Sequence, residues 1–188
     1  MIAGRATCIV FSDDDLPLKS SNHTCPLYIS IGCSDYWVPF VLLDNGSALN
    51  IYPLATSIAF DYAPSNFVPS TQTVREYDRT KRKVIGTLEI ELLIGSTALP
   101  TMFQVLRILT SFNQLLGQPW IHKAGAISYF LHQNVKFIHD GKVITVHSIG
   151  DMFASSSPCF KSAIVRMTYF LLGSHLMRYR LLRLRIFV

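Results

Sequence analysis

The residue with the clearest chemical potential is Asp44. It sits where the apolar run Phe40-Val41-Leu42-Leu43 gives way to the polar turn Asn45-Gly46-Ser47, inside the segment Val38–Pro53 (VPFVLLDNGSALNIYP). A carboxylate this close to a buried strand is costly unless it is hydrogen-bonded or has a task. Taken alone, D-x-G-S has two readings. Asn-Gly is the preferred pair of a two-residue hairpin turn, which Asp44 would help to shape. Alternatively, the turn presents the carboxylate as a general acid or base.

Other chemistries fit poorly. No G-x-S-x-G nucleophile elbow, Walker loop or dinucleotide fingerprint occurs. His122, His132, His139 and His147 have no cysteine or acidic partner at ligand spacing, so no metal site is expected. Cys8, Cys25, Cys33 and Cys159 include no C-x-x-C pair and read as reduced thiols.

The elements that must position Asp44 read mainly as short strands. Leu27–Ile31 and Trp37–Leu43 are strand candidates, the second apolar enough to be buried, with a turn at 32–35. Pro53–Tyr62 suits one short helix, with proline at its first position, and 64–70 reads as loop. A hairpin is expected from strands 71–77 and 84–94 around a charged tip at 78–83; in the second strand Glu89 and Glu91 alternate with Leu88, Ile90 and Leu92. Met102–Ile108 and Asn113–Gly117 follow as strands, then a helix at 119–124. Asp140-Gly141 between two apolar runs signals another hairpin. Many short strands with little helix favour a closed all-β fold.

Across its 188 residues the chain is 49% apolar, which excludes a wholly disordered chain and suits one domain. No apolar run approaches the roughly 18–20 residues that span a bilayer, so no membrane partner is expected. Asp13-Asp14-Asp15 interrupts any secretory signal pattern, and an intracellular location is expected. The net charge of +5 comes from the tail: residues 153–188 hold six basic side chains and no acidic one, while the rest sums to −1. It gives no footprint for nucleic-acid binding by the folded part. A nucleic-acid-binding or membrane-binding tail is a weaker reading, since Arg178, Arg180, Arg183 and Arg185 form no clean helical face.

Several ordered blocks together are more specific than the turn alone. They are 42–50 (LLDNGSALN), 86–90 (GTLEI), 103–106 (FQVL), 115–122 (LLGQPWIH) and 131–137 (LHQNVKF). Over about 25–150 the chain resembles the protease domain of plant gypsy-type retrotransposon polyproteins, a branch of the retropepsin-like aspartic proteases. The resemblance implies an all-β acid-protease barrel with one or two short helices and a flap hairpin. It divides the chain into a polar N-terminal segment (1–24), the protease domain (25–150) and a basic apolar tail (151–188) outside the fold.

On this resemblance Asp44 matches the catalytic aspartate, with Asn45, Gly46 and Ser47 as its supporting loop. Leu115, Leu116 and Gly117 match the element that packs behind that loop. Tyr77, Ile85 and Gly86 lie in the expected flap. Only one D-x-G is present, so activity would require a homodimer with Asp44 from each subunit. The substrate would be an extended polypeptide of the polyprotein, with no cofactor and no metal. Nucleic acid would enter only through neighbouring parts of the parent polyprotein. Ser47 is expected to donate a hydrogen bond to Asp44. The alternative is an inactive relic that keeps dimerisation or peptide binding.

Two positions depart from the family pattern: Asn45 stands where Thr or Ser is usual, and Gln118 where Arg is common. The tail beyond Phe160 matches nothing in this frame. A one-nucleotide shift over Phe160–Ile164 reads Leu-Gln-Ile-Ser-His, which suggests a frameshifted element.

Overall fold

Alternation of apolar and polar side chains builds a barrel. The computed structural model describes residues 8–12, 26–33, 36–75, 80–130 and 132–149. In chain order the strands are β1 (Leu27–Cys33), β2 (Tyr36–Leu43), β3 (Ile51–Pro53), β4 (Val68–Pro69), β5 (Thr73–Arg75), β6 (Lys81–Ile94), β7 (Thr97–Leu106), β8 (Gln114–Leu116), β9 (Ile127–Tyr129), β10 (Asn134–His139) and β11 (Lys142–His147). Two short helices, α1 (Leu54–Ala59) and α2 (Gln118–Ala124), interrupt them.

The sheet order β1-β2-β8-β3-β7-β6 closes on itself through Gly32↔Leu93 and Cys33↔Leu92. Closure removes the exposed edges that an open sheet would leave. Two contacts in this ring, β2–β8 and β3–β7, are parallel. The short strands β3 and β8 are buried at every residue. They separate an inner core, with Leu27, Ile29, Tyr52, Phe103, Leu116 and Trp120, from a second cluster of Ile51, Val74, Val84, Leu106, Ile108, Phe112 and Leu115. A three-stranded sheet, β11-β10-β9, contributes Val135 and Phe137 to the inner core.

The expected all-β fold with one or two short helices is therefore observed. Several boundaries differ. The helix expected from 53 covers only Leu54–Ala59, because Pro53 completes β3 and Asp61 adopts a left-handed φ of 64°. The strand expected at Met102–Ile108 runs from Thr97 to Leu106, paired with β6 across the Gly95-Ser96 turn. The charged residues Lys81, Arg82 and Lys83, expected in a hairpin tip, pair with β5. The expected loop at 64–70 holds a short 3-10 turn and β4, and β9 was not expected. Trp37, expected to be buried, is 63% exposed because it takes the outward face of β2, while its neighbour Val38 takes the inward one. The Asp140-Gly141 turn forms as expected, with φ values of 50° and 74° that suit a type I′ hairpin.

Part of the polar N-terminal segment touches the domain. Lys136 Nζ donates to Val10 O at 2.8 Å, and the Phe11 ring lies 5.1 Å from that of Tyr129. The tail 151–188, and with it the expected frameshift region, lies outside the described residues.

Inside the barrel sits a small polar group: Cys33 Sγ is 3.6 Å from Tyr62 Oη, and the rings of Tyr52 and Tyr62 are 6.0 Å apart. Burial pushes the Cys33 thiol and the Tyr52 phenol above their ordinary values of 9.0 and 10.0. The folded chain therefore keeps both protons at a pH where the unfolded chain releases them. Stability is fully present below about pH 9 and falls as pH rises beyond it. Urea midpoints at pH 8 and 10.5 should show this drop, and Tyr52→Phe should make it shallower.

Candidate active site

Strand β2 reaches Asp44 through an irregularity. Val38, Val41 and Leu43 all face the core, which strict alternation would forbid. Phe40 has φ 56°, and the β1–β2 register shifts between Ile29 and Ile31, so the strand bulges at Pro39-Phe40. Asn113 pins the bulge from both sides: its N–H donates to Phe40 O at 3.0 Å, and its Nδ2 to Pro39 O at 2.7 Å. The bulge restores inward phase, and β2 then runs parallel to β8 as Leu42↔Leu115 and Leu43↔Leu116.

At the end of β2 the Asp44 N–H donates to Leu116 O at 3.0 Å. The chain turns at Asn45-Gly46, where Gly46 N–H donates to Asp44 Oδ1 at 2.9 Å and Ser47 N–H to Asp44 O at 3.2 Å. The carboxylate is half-buried, and a charge-assisted backbone bond orients it. The expected donation from the Ser47 hydroxyl does not occur. Ser47 is fully buried, and its Oγ donates to Leu49 O at 3.0 Å instead, stiffening the far side of the loop.

Gly117 approaches this loop so closely that only glycine fits. A Cβ there would lie 2.3 Å from Leu49 O and 2.6 Å from Ser47 O. Its N–H donates to Asn50 Oδ1 at 2.9 Å, and the next N–H, of Gln118, donates to Ser47 O at 2.8 Å. Asn50 completes the frame: Nδ2 donates to Met102 O at 3.0 Å, and its own carbonyl accepts from Gln104 N–H at 2.9 Å. Gln118 Nε2 donates to Asn45 O at 3.2 Å, so the shorter amide keeps one contact to the loop. Leu115 and Leu116 are buried behind Asp44, on opposite faces of β8.

Thus Asp44, Asn45, Gly46, Ser47, Leu115, Leu116 and Gly117 converge. Of the flap candidates, Ile85 and Gly86 lie within β6. Gly86 is buried, pairing with Pro69 and Val105, and Ile85 is half-buried at an irregularity in β6 between Val84 and Gly86. Both lie at the barrel end of the β5–β6 hairpin, whose base Val74 and Val84 pack in the cluster bordered by Leu42 and Leu49. Tyr77 lies outside the described residues. The histidines are dispersed, and among the described residues no three His, Cys, Asp or Glu side chains gather into a metal-binding group. Asn50 and Asn113 are the supports that sequence reasoning missed. Each is a buried amide beside apolar strands, a placement that requires hydrogen-bond partners.

This frame makes a sharp expectation. Gly117→Ala should cost about 3 kcal/mol or more, since backbone carbonyls cannot yield to the new methyl. Asn50→Ala should cost about 2 kcal/mol by stranding two buried backbone groups. Chemical denaturation of each variant measures both.

No protein-family model and no curated protein matches the chain. Solved structures do. A retroviral protease-like domain of Ddi1 from Leishmania major is 14% identical, with a TM-score of 0.53, covering 69% of this chain and 97% of that one. EIAV protease, complexed with the inhibitor HBY-793, is 15% identical over 59% of this chain and 99% of its own, with a TM-score of 0.41. A retropepsin-like aspartic protease from Rickettsia conorii is 12% identical over 63% and 80%, with a TM-score of 0.41. Barrel topology and the Leishmania structure together assign this chain the retropepsin-like fold.

Proposed function

We propose that the chain is the aspartic-type endopeptidase domain, spanning about 25–150, of a gypsy-type retrotransposon polyprotein, and that it works as an intracellular homodimer. The observation that carries this reading is a single aspartate, Asp44, held by an interlocked loop in a retropepsin-like barrel. One carboxylate per chain is half of what the reaction needs. A two-fold axis would bring Asp44 of each subunit together, with Asn45, Gly46 and Ser47 shaping each half of the site.

Two adjacent carboxylates share one proton, because like charges a few ångströms apart resist joint ionisation; the aspartic-protease dyad is the standard example of this effect. The ionised member takes a proton from water, whose oxygen attacks the peptide carbonyl carbon. The protonated member gives its proton to the carbonyl oxygen. The tetrahedral intermediate collapses as the C–N bond breaks: one carboxyl gives its proton to the leaving amine while the other carboxylate takes a proton from a gem-diol hydroxyl, which restores the shared proton. The pair titrates as a unit, so neither role belongs to one subunit. The β5–β6 hairpin is the element suited to close over an extended polypeptide and exclude water. No step calls for a metal or cofactor.

Purified protein should cleave a mixed peptide library near pH 4–6 in a pepstatin-sensitive manner, and Asp44→Asn should lower the rate at least ~10³-fold. Sedimentation should report a dimer. A folded dimer with no cleavage favours the relic that only dimerises or binds peptide, and an inactive monomer rejects both readings.

A second expectation concerns Ser47. Its hydroxyl bonds Leu49 rather than the carboxylate. Ser47→Ala should therefore leave the acid limb of the pH–rate profile in place while costing about 1 kcal/mol of stability. A displaced acid limb would show that the hydroxyl reaches Asp44 in the working dimer.

A further inference from the structure

The outer face of the β6–β7 hairpin carries an unusual strip. Cross-strand pairing sets Leu93 beside Ala98, Glu91 beside Pro100 and Glu89 beside Met102, all facing away from the core. On its other side Leu93 pairs with Gly32, which in turn pairs with Trp37. The Leu93 side chain sits over Gly32, where an added Cβ would meet Leu93 Cβ at 2.9 Å, so only glycine fits between the two strands. Trp37 is 63% exposed, Met102 48% and Leu93 45%. Apolar side chains grouped this way around two carboxylates mark an interaction surface. Lys123, whose ammonium donates to Pro100 O, is the one cation placed at the strip by a described contact.

We propose that the basic tail of the same chain covers this strip. Between 153 and 188 the tail has six basic residues, no acidic one, and many bulky apolar side chains. Arg183 and Arg185, interleaved with Leu182, Leu184 and Ile186, repeat every second residue. Glu89 and Glu91 repeat every second residue too, which in a strand spaces like side chains about 7 Å apart. β11, the last described strand, packs on the β6–β7 turn, where a Cβ on Gly95 would meet Ile144 Cγ2 at 2.6 Å. Thirty-odd residues between Ile149 and Arg183 reach any part of the strip, and closing a loop of that length adds only a slowly growing entropic cost. This inference rests on the surface and the tail, not on catalysis.

Tryptophan quenching tests it in the full chain. Trp120 is buried, so acrylamide reports mainly on Trp37. The native chain should protect Trp37, and Glu89→Lys/Glu91→Lys should raise the quenching constant about twofold or more, as should molar salt, because exposed ion pairs are screened. Adding Arg183→Glu/Arg185→Glu to that variant should restore protection by reversing both charges. Free quenching in the native chain, unchanged by the double variant, overturns the proposal. So does protection that grows with protein concentration, which would assign the face to a second copy, or protection that needs anionic vesicles, which would assign it to a membrane.

Discussion

The loop that carries Asp44 has no regular structure of its own. It keeps its shape because Gly117 lies against the carbonyls of Ser47 and Leu49 at a distance that admits no side chain. Around that contact Asp44 N–H bonds to β8, Asn45 O and Ser47 O accept from Gln118 at the start of α2, and Asn50 accepts from Gly117 N–H. Irregular backbone at a buried site is stable only when its polar groups are satisfied in this way. The glycine and the asparagine thus matter as much to the carboxylate as its immediate neighbours do.

The barrel exists, in this sense, to bring two distant segments side by side. Parallel pairing of β2 with β8 places Leu43 beside Leu116, so the chain leaves both strands at the same end. β3 runs between β8 and β7 and is buried on both faces, which fixes the return of the Asp44 loop. The bulge at Phe40 sets the phase of this arrangement. Without the extra residue, the side chains from Val41 onward would change faces, and the carboxylate would leave the strand in the opposite direction.

Much of this was legible in the sequence. The Asp140-Gly141 hairpin carries a strong local signal; the Asn-Gly turn after Asp44 is ambiguous by itself, and the family resemblance is what ties it to Leu115-Leu116-Gly117. What escaped was set by tertiary contact. Asn50 and Asn113 read as ordinary polar residues until the strands they bridge are in place. The Ser47 hydroxyl had two acceptors within reach, and local turn geometry selected Leu49 O over the carboxylate. Trp37 belongs to an apolar run, yet strand alternation turns it outward while Val38 beside it enters the core. Lys81, Arg82 and Lys83 read as part of a charged tip, but they pair with β5 and lengthen the hairpin's strands.

The two halves of the Asp44 frame are about seventy residues apart along the chain, from Ser47 and Asn50 to Gly117 and Gln118. Contacts of such separation are slow to close, because the loop-closure entropy is paid before the contact rewards it. During synthesis the first half emerges long before its support exists, so the turn is made but cannot be locked. A ribosome must translate past α2 before the carboxylate acquires its final setting, and the fold thereby imposes a delay between making the residue and making it usable.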